Sequence, residues 1–204
     1  MVVTGIEEFT KSRSRISIDG EFAFVLYKGE LRRFHLQEGK ELEEKDYETI
    51  MTEILPKRAK LRAMNLLLKK NYTTAQLRAK LEEGGYPEEV LGEALDYVAS
   101  FHYVDDLRYA VDFILCHQDD RSRMRMEQDL RAKGLPKEVV EQAFLKWEEE
   151  GGGQDEGKMI RELLRKRGFD PENRTQAEIK REYGFLMRKG FSADAVWNAL
   201  MKKS

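Results

Sequence analysis

Apolar residues at helical spacing occur in three similar blocks along the chain. In the first block these apolar residues are followed by a Gly-x-Pro sequence, with Gly85 and Pro87. The same sequence returns with Gly134 and Pro136, each 49 positions later. A weaker third block carries Gly190, 56 positions after Gly134. Units that bury their apolar faces against neighbouring units build an elongated body. The pattern predicts a mainly α protein made of tandem three-helix repeats.

A different pattern precedes the repeats. Two runs rich in β-branched and aromatic residues, 15–18 and 21–27, flank Asp19-Gly20, and this dipeptide is a strong hairpin signal. Lys28-Gly-Glu30 predicts a second turn before another short run at 31–34. We therefore expect a small β-meander or hairpin at the N-terminus, and no helix within the first 36 residues.

An apolar stripe connects the two patterns. Five apolar residues from Tyr47 to Leu55 recur at i, i+3, i+4, i+7 and i+8, which predicts a helix that ends before Pro56. The predicted division is a β-rich region at 1–40, a connecting helix at 41–56, three-helix repeats at 57–103 and 104–150, a Gly-rich acidic linker at 151–157 and a basic three-helix repeat at 158–204.

Polar residues mark helix ends within the repeats. Thr73 with Gln76, and Thr175 with Glu178, have the spacing of a capping box. The repeated glycines suit the left-handed conformation that closes a helix, and the repeated prolines suit the first turn of the next helix. Ser192 replaces the proline in the third repeat and can cap the helix instead. These signals resemble helix-turn-helix units, although generic helix pairs use them too.

The linker contains Gly151-Gly-Gly153 between acidic residues. Each glycine lowers helix propensity by about 1 kcal/mol, so the segment is predicted to be a loop or hinge.

Composition describes a charge-rich protein, with 41% apolar and 36% charged residues. Cys116 is the only cysteine, which excludes an intramolecular disulfide and a cysteine cluster for zinc. No signal pattern is present, and no apolar run approaches the roughly 18 residues of a membrane span. We expect a cytoplasmic monomer without a membrane anchor, cofactor or metal.

Charge is unevenly distributed, although the net charge is only −2. Residues 158–204 carry 12 Lys and Arg against 6 Asp and Glu, and three arginines cluster at 121–125. Such clusters suit phosphate groups or an acidic protein surface, and a solvated helix face is the structural alternative. The candidate partner-binding or DNA-binding residues are Arg121, Arg123, Arg125, Lys133, Arg161, Arg165, Arg181, Arg188 and Lys189.

Common sequence motifs of catalysis are absent, which predicts a protein that is not an enzyme. Asp105-Asp106 is the one candidate acid pair for magnesium. Because an apolar helical stripe follows directly, Asp105 is better interpreted as an N-cap and Asp106 as a first-turn acid.

The segment from Tyr103 to Ala110, Tyr-Val-Asp-Asp-Leu-Arg-Tyr-Ala, resembles the Tyr-x-Asp-Asp-x-Arg-Phe-Ala signature of the RecX family, the modulators of the RecA recombinase. The segment from Phe185 to Phe191 is similar to that family's Phe-Leu-x-Arg-Arg-Gly-Phe motif. The signature residues, interpreted as mainly structural, are Tyr103, Asp105, Asp106, Arg108, Tyr109 and Ala110.

The resemblance implies a non-enzymatic regulator whose curved row of repeats binds the RecA filament on single-stranded DNA. It would inhibit filament growth, ATP hydrolysis and strand exchange. The alternative is a sequence-independent DNA-binding protein made of helix-turn-helix-like units, whose affinity would fall steeply with salt. In the first case, contact with single- or double-stranded DNA is expected to be weak.

Overall fold

The computed structural model describes residues 1–201. Its strands are β1 (Val3–Thr10), β2 (Arg13–Ile18) and β3 (Glu21–Tyr27). Its helices are α1 (Lys28–Arg33), α2 (Glu44–Thr49), a π-helical turn (Ile50–Ile54), α3 (Leu55–Leu67), α4 (Thr74–Glu82), α5 (Glu88–Ser100), α6 (Asp106–His117), α7 (Arg123–Ala132), α8 (Lys137–Glu149), α9 (Glu156–Lys166), α10 (Gln176–Arg188) and α11 (Ala193–Met201). This confirms the predicted mainly α fold with a small N-terminal sheet. The chain divides into a first unit, Met1–Asp105, and a second unit from Asp106 onward.

The N-terminal sheet is antiparallel with the order β1-β2-β3. Asp19 and Gly20 connect β2 to β3 with φ values of +50° and +91°, as a two-residue turn between twisted strands requires. The predicted hairpin is therefore confirmed. The third strand is β1, so the prediction of a strand at 31–34 is wrong.

Residues 28–33 form α1, which corrects the prediction of a turn and of no helix in this region. Glu30 Oε2 accepts a hydrogen bond from the backbone N–H of Tyr27 at 2.8 Å and so satisfies an amide at the helix start. The same carboxylate oxygen lies 2.5 Å from Arg58 Nη1 on α3. This contact spans 28 positions, and local turn signals do not reveal it.

The helix that begins at Glu44 does not end before Pro56, and this prediction is wrong. The backbone N–H of Leu55 donates to the carbonyl of Ile50, five residues earlier, which is the hydrogen bond of a π turn. Pro56 then lies in the first turn of α3, where its missing N–H costs little. The wider turn lets one continuous helical segment run from Glu44 to Leu67.

The first unit has one apolar core shared by its sheet and helices. Ile16, Phe24 and Leu26 are buried on one face of the sheet, together with apolar residues of α3, α4 and α5. On the other face, Val25 is buried against the turn after α4, where a Cβ on Gly85 would lie 2.2 Å from Val25 Cγ2. Only glycine fits there, because its φ is also +78°.

The predicted caps explain where the repeat helices begin and end. The capping boxes at the starts of α4 and α10 are confirmed by reciprocal hydrogen bonds between Thr73 and Gln76 and between Thr175 and Glu178. The glycines at 85, 134 and 190 all have positive φ, as predicted. Pro87 and Pro136 occupy N-cap positions, one residue before the predicted first turn.

In the second unit, α6 packs against α8, and α9 packs against α11. The described residues form one apolar cluster from α6–α8 and another from α9–α11. Between them, the connection after α8 is a loop, as the three glycines predict. Gly152 donates its N–H to the Trp147 carbonyl, and Gln154 Nε2 donates to the carbonyls of Gln118 and Arg121 at 2.5 and 2.7 Å. These bonds tie the loop to α8 and to the connection between α6 and α7. Its role as a hinge stays a prediction.

Candidate partner-binding surface

A buried serine links the two repeats of the second unit. Ser122 is 1% exposed, and its Oγ accepts a hydrogen bond from the backbone N–H of Arg125 at 3.3 Å, which caps α7. The same hydroxyl donates to the Lys189 carbonyl at 2.8 Å, at the end of α10. A Cβ on Gly190 would lie 2.8 Å from Ser122 Oγ, so glycine permits this close approach.

This link brings four predicted residues to one place, which we call the basic concavity: Arg121, Arg125, Arg188 and Lys189. The concavity has a volume of about 550 Å³ and is also lined by Phe185 and Phe191. The two pairs of cations come from segments more than 60 positions apart in sequence. The tertiary fold therefore joins clusters that the sequence shows separately.

Half of the positive charge in the basic concavity is already paired. Asp129, whose side chain is 16% exposed, lies 2.7 Å from Arg121 Nη1 and 3.1 Å from Arg125 Nη2. Asp120 is 3.8 Å from Arg121 Nε. Within residues 1–201, Arg188 and Lys189 have no carboxylate within 4.0 Å, and both are exposed. Within the concavity, these two side chains are consequently the cations most available to a partner.

The other predicted residues lie outside the concavity. Arg123 pairs with Glu127 at 3.1 Å and with Glu148, and its guanidinium lies 4.5 Å from the Phe144 ring centroid. It thus joins α7 to α8. The Lys133 ammonium lies 5.4 Å from the Phe113 ring centroid.

Arg161 and Arg165 line a different cavity of about 760 Å³ beside α9 and α11. Arg161 Nη2 lies 4.0 Å from Asp155. This cavity is lined by apolar as well as basic residues. The third repeat therefore contributes basic residues to two distinct surfaces, this cavity and the basic concavity.

Arg181 belongs to an ion-pair group around one buried carboxylate, which the sequence interpretation missed. Glu182 is 1% exposed and accepts hydrogen bonds from Arg167 at 2.6 and 3.1 Å and from Arg181 at 2.9 Å. The bonds from Arg167, followed by those from Arg181, hold the pKa of Glu182 below its ordinary value despite burial. The sequence signal that could have revealed Glu182 is its position on the apolar face of α10, three residues after Ile179 and four before Leu186.

The signature residues are divided between exposed and buried positions. Tyr103 is 53% exposed and stacks on Phe101 with ring centroids 5.6 Å apart. Ala110 is fully buried in the apolar cluster of α6–α8, and Tyr109 is partly buried and packs against this cluster. Arg108 Nε lies 4.0 Å from Asp112.

The acid pair stands at the start of α6. Asp105 directly precedes this helix and Asp106 lies in its first turn, where the helix dipole favours a negative charge. Across residues 1–201, no three His, Cys, Asp or Glu side chains are grouped closely enough to hold a metal ion. The helices described include none long and apolar enough to cross a membrane.

The fold and surface define a helical repeat protein with a small N-terminal sheet and a basic concavity in its second unit. Residues 59–97 match the model of the RecX first three-helix domain. A regulatory protein RecX from Caldanaerobacter subterraneus is 31% identical over 202 residues, covering 98% of both chains. One from Trichlorobacter lovleyi is 31% identical over 140 residues, covering 67% of this chain and 89% of the relative. The chain belongs to the RecX family of regulatory proteins.

Solved structures support the fold. A crystal structure of regulatory protein RecX aligns with a TM-score of 0.63 at 23% identity and covers 98% of this chain and 99% of the other. RecX from Lactobacillus salivarius aligns with a TM-score of 0.59 at 16% identity, covering 72% of this chain and 95% of the other.

Proposed function

We propose that this protein binds the RecA filament on single-stranded DNA and lowers its growth, ATP hydrolysis and strand exchange without chemistry of its own. Membership of the RecX family supports a regulatory role. The observation that carries the contact is the basic concavity, where Arg188 and Lys189 are exposed and have no carboxylate partner among the described residues. A filament of repeating subunits offers the same acidic groups many times, which suits a protein that is itself made of repeats.

Electrostatics at this surface act mainly on association. Unpaired cations attract an anionic partner over about 10 Å at moderate salt, and their reversal slows encounter more than it loosens the final complex. Arg121 and Arg125 contribute less net charge because Asp129 pairs with both and Asp120 lies beside Arg121. We therefore assign the leading role to Arg188 and Lys189.

A direct contact of the same cations with DNA is the second candidate, because guanidinium and ammonium groups also suit phosphates. Binding to a preformed RecA filament and to bare single-stranded DNA separates the two. The wild type is compared with Arg188→Glu/Lys189→Glu and with Lys146→Glu/Lys166→Glu, a control pair of exposed lysines outside the concavity.

We expect the first double variant to associate more slowly with the filament and with a flatter salt dependence. The control should retain the wild-type rate within about twofold, because these two lysines do not line the concavity. Equal affinity of the wild type for bare DNA and filament would favour the DNA-binding candidate instead.

A further inference from the structure

The first unit carries a groove of about 580 Å³ that the proposed filament contact does not use. It lies where the end of the sheet meets α3 and the turn after α4. Its charged and aromatic lining consists of Arg13, Tyr27, Arg58, Arg62, Lys80 and Tyr86, with Glu83 as the acid among its lining residues. We call it the basic-aromatic groove.

The cations of this groove differ in how far they are already paired. Arg58 donates to Glu30 at 2.5 Å and to the Val25 carbonyl at 2.7 Å, so it holds α3 against the sheet. Lys80 lies 2.7 Å from Glu83. Within the described chain, Arg13 and Arg62 have no carboxylate within 4.0 Å. Two positive charges therefore remain for an external anion.

The surrounding charge makes this groove distinctive. Residues 1–105 contain 16 Lys and Arg against 19 Asp and Glu, a net charge of −3. A positive groove in a net negative body guides an anion to one place instead of to the whole surface. A nonspecific attraction of polyanions to the first unit does not follow from its composition.

An aromatic ring lies beside the unpaired cations. Arg13 on β2 pairs directly with Tyr27 on β3, so both side chains project from the same face of the sheet. Tyr27 is 45% exposed, and the guanidinium of Arg58 lies 4.8 Å from its ring centroid. Exposed rings next to cations form the stacking and phosphate contacts typical of single-strand binding surfaces.

We propose that the basic-aromatic groove binds single-stranded DNA, with the phosphodiester backbone on Arg13 and Arg62 and one base stacked on Tyr27. A duplex would not use the ring, since its base faces are covered by their neighbours. An acidic peptide would use the cations and leave the ring without a partner. This inference does not rest on the proposed filament contact, which lies in the second unit.

The test is a fluorescence anisotropy titration of the full chain with labelled oligo(dT), repeated at several salt concentrations. Arg13→Ala/Arg62→Ala is compared with Arg32→Ala/Lys40→Ala, a pair with the same charge change at exposed positions outside the groove. The plot of log affinity against log salt has a negative slope. Loss of two phosphate contacts should make this slope shallower by about 1.4. The control pair should leave most of this slope in place.

The stacking contact is tested with Tyr27→Leu and Tyr27→Phe, with folding monitored by circular dichroism. The leucine variant should bind oligo(dT) about fivefold or more weakly, whereas the phenylalanine variant keeps a ring and should bind like the wild type. Equal binding by both folded variants would overturn the base contact.

Four further results would overturn the proposal. The first is that the wild type fails to bind oligo(dT). The second is that the control pair weakens binding as much as the groove pair does. The third is oligo(rU) binding at least tenfold more tightly than oligo(dT), which would overturn the assignment to DNA. Loss of oligo(dT) binding in Arg188→Glu/Lys189→Glu, with normal binding in the groove pair, would place the DNA on the second unit. Filament ATP hydrolysis is not a readout here, so either proposal can fail alone.

Discussion

Replacing Ser122 by alanine should destabilise the second unit more than an ordinary helix cap would. The hydroxyl caps α7 and also donates to the Lys189 carbonyl, and it is 1% exposed. Loss of the cap costs about 1 kcal/mol. Losing the second hydrogen bond, to the Lys189 carbonyl, adds about 0.5–1.5 kcal/mol. We expect a total loss of about 1.5–2.5 kcal/mol.

The matched control is Thr175→Ala, which removes a cap at α10. Among the described residues, the Thr175 hydroxyl bonds only within its own capping box, and Thr175 is exposed, so this variant should lose about 1 kcal/mol. The difference between the two variants measures the bond from Ser122 to the α10 end.

Tryptophan fluorescence in a urea titration is a suitable assay. The chain has two tryptophans, Trp147 and Trp197, and both belong to the second unit, so the signal reports on that unit. Hydrogen exchange at 186–192 should also rise in Ser122→Ala and not in Thr175→Ala. Equal destabilisation by the two substitutions would refute the reasoning that this hydroxyl joins the repeats.

Three other predictions test separate contacts. Glu182→Gln should be less stable than the wild type at neutral pH. Because the folded pKa of Glu182 is depressed, its contribution is present above the unfolded pKa of about 4.3 and is lost as pH falls through the folded value, so urea midpoints should converge in acid. Gly152→Ala should destabilise by about 1–3 kcal/mol, since its Cβ would lie 2.3 Å from the Trp147 indole, whereas Gly153→Ala meets open space and should be close to neutral in the same assay. Asp105→Ala should lower stability by about 0.5–2 kcal/mol if it caps α6, and a large rise in wild-type melting temperature with millimolar magnesium would contradict the capping role.

Local signals predicted the elements that local chemistry determines. Asp19-Gly20 can adopt a two-residue hairpin turn without help from distant residues, and Thr73 with Gln76 forms its capping box within one helical turn. Both predictions are confirmed. The helix at 28–33 has a local cap, in which Glu30 accepts from the Tyr27 N–H, but Glu30 also pairs with Arg58, which lies 28 positions further along the chain. Local signals do not reveal this second contact.

The candidate surface shows the same division. The sequence identifies basic clusters, but their ion pairs depend on tertiary packing. Arg123 is paired with Glu148, which lies 25 positions away. The Ser122 hydroxyl donates to the Lys189 carbonyl, 67 positions away, and this bond brings Lys189 beside Arg125. The sequence of charged residues does not show which cations are already paired, whereas the structure does.

The most direct test of the central claim is ATP hydrolysis by the RecA of the same organism, assembled on single-stranded DNA. Stoichiometric wild-type protein should suppress hydrolysis at concentrations where it barely binds bare DNA. Arg188→Glu/Lys189→Glu should suppress it less at equal concentration, while Lys146→Glu/Lys166→Glu should match the wild type. Hydrolysis that is unchanged by stoichiometric wild-type protein would contradict regulation of the filament.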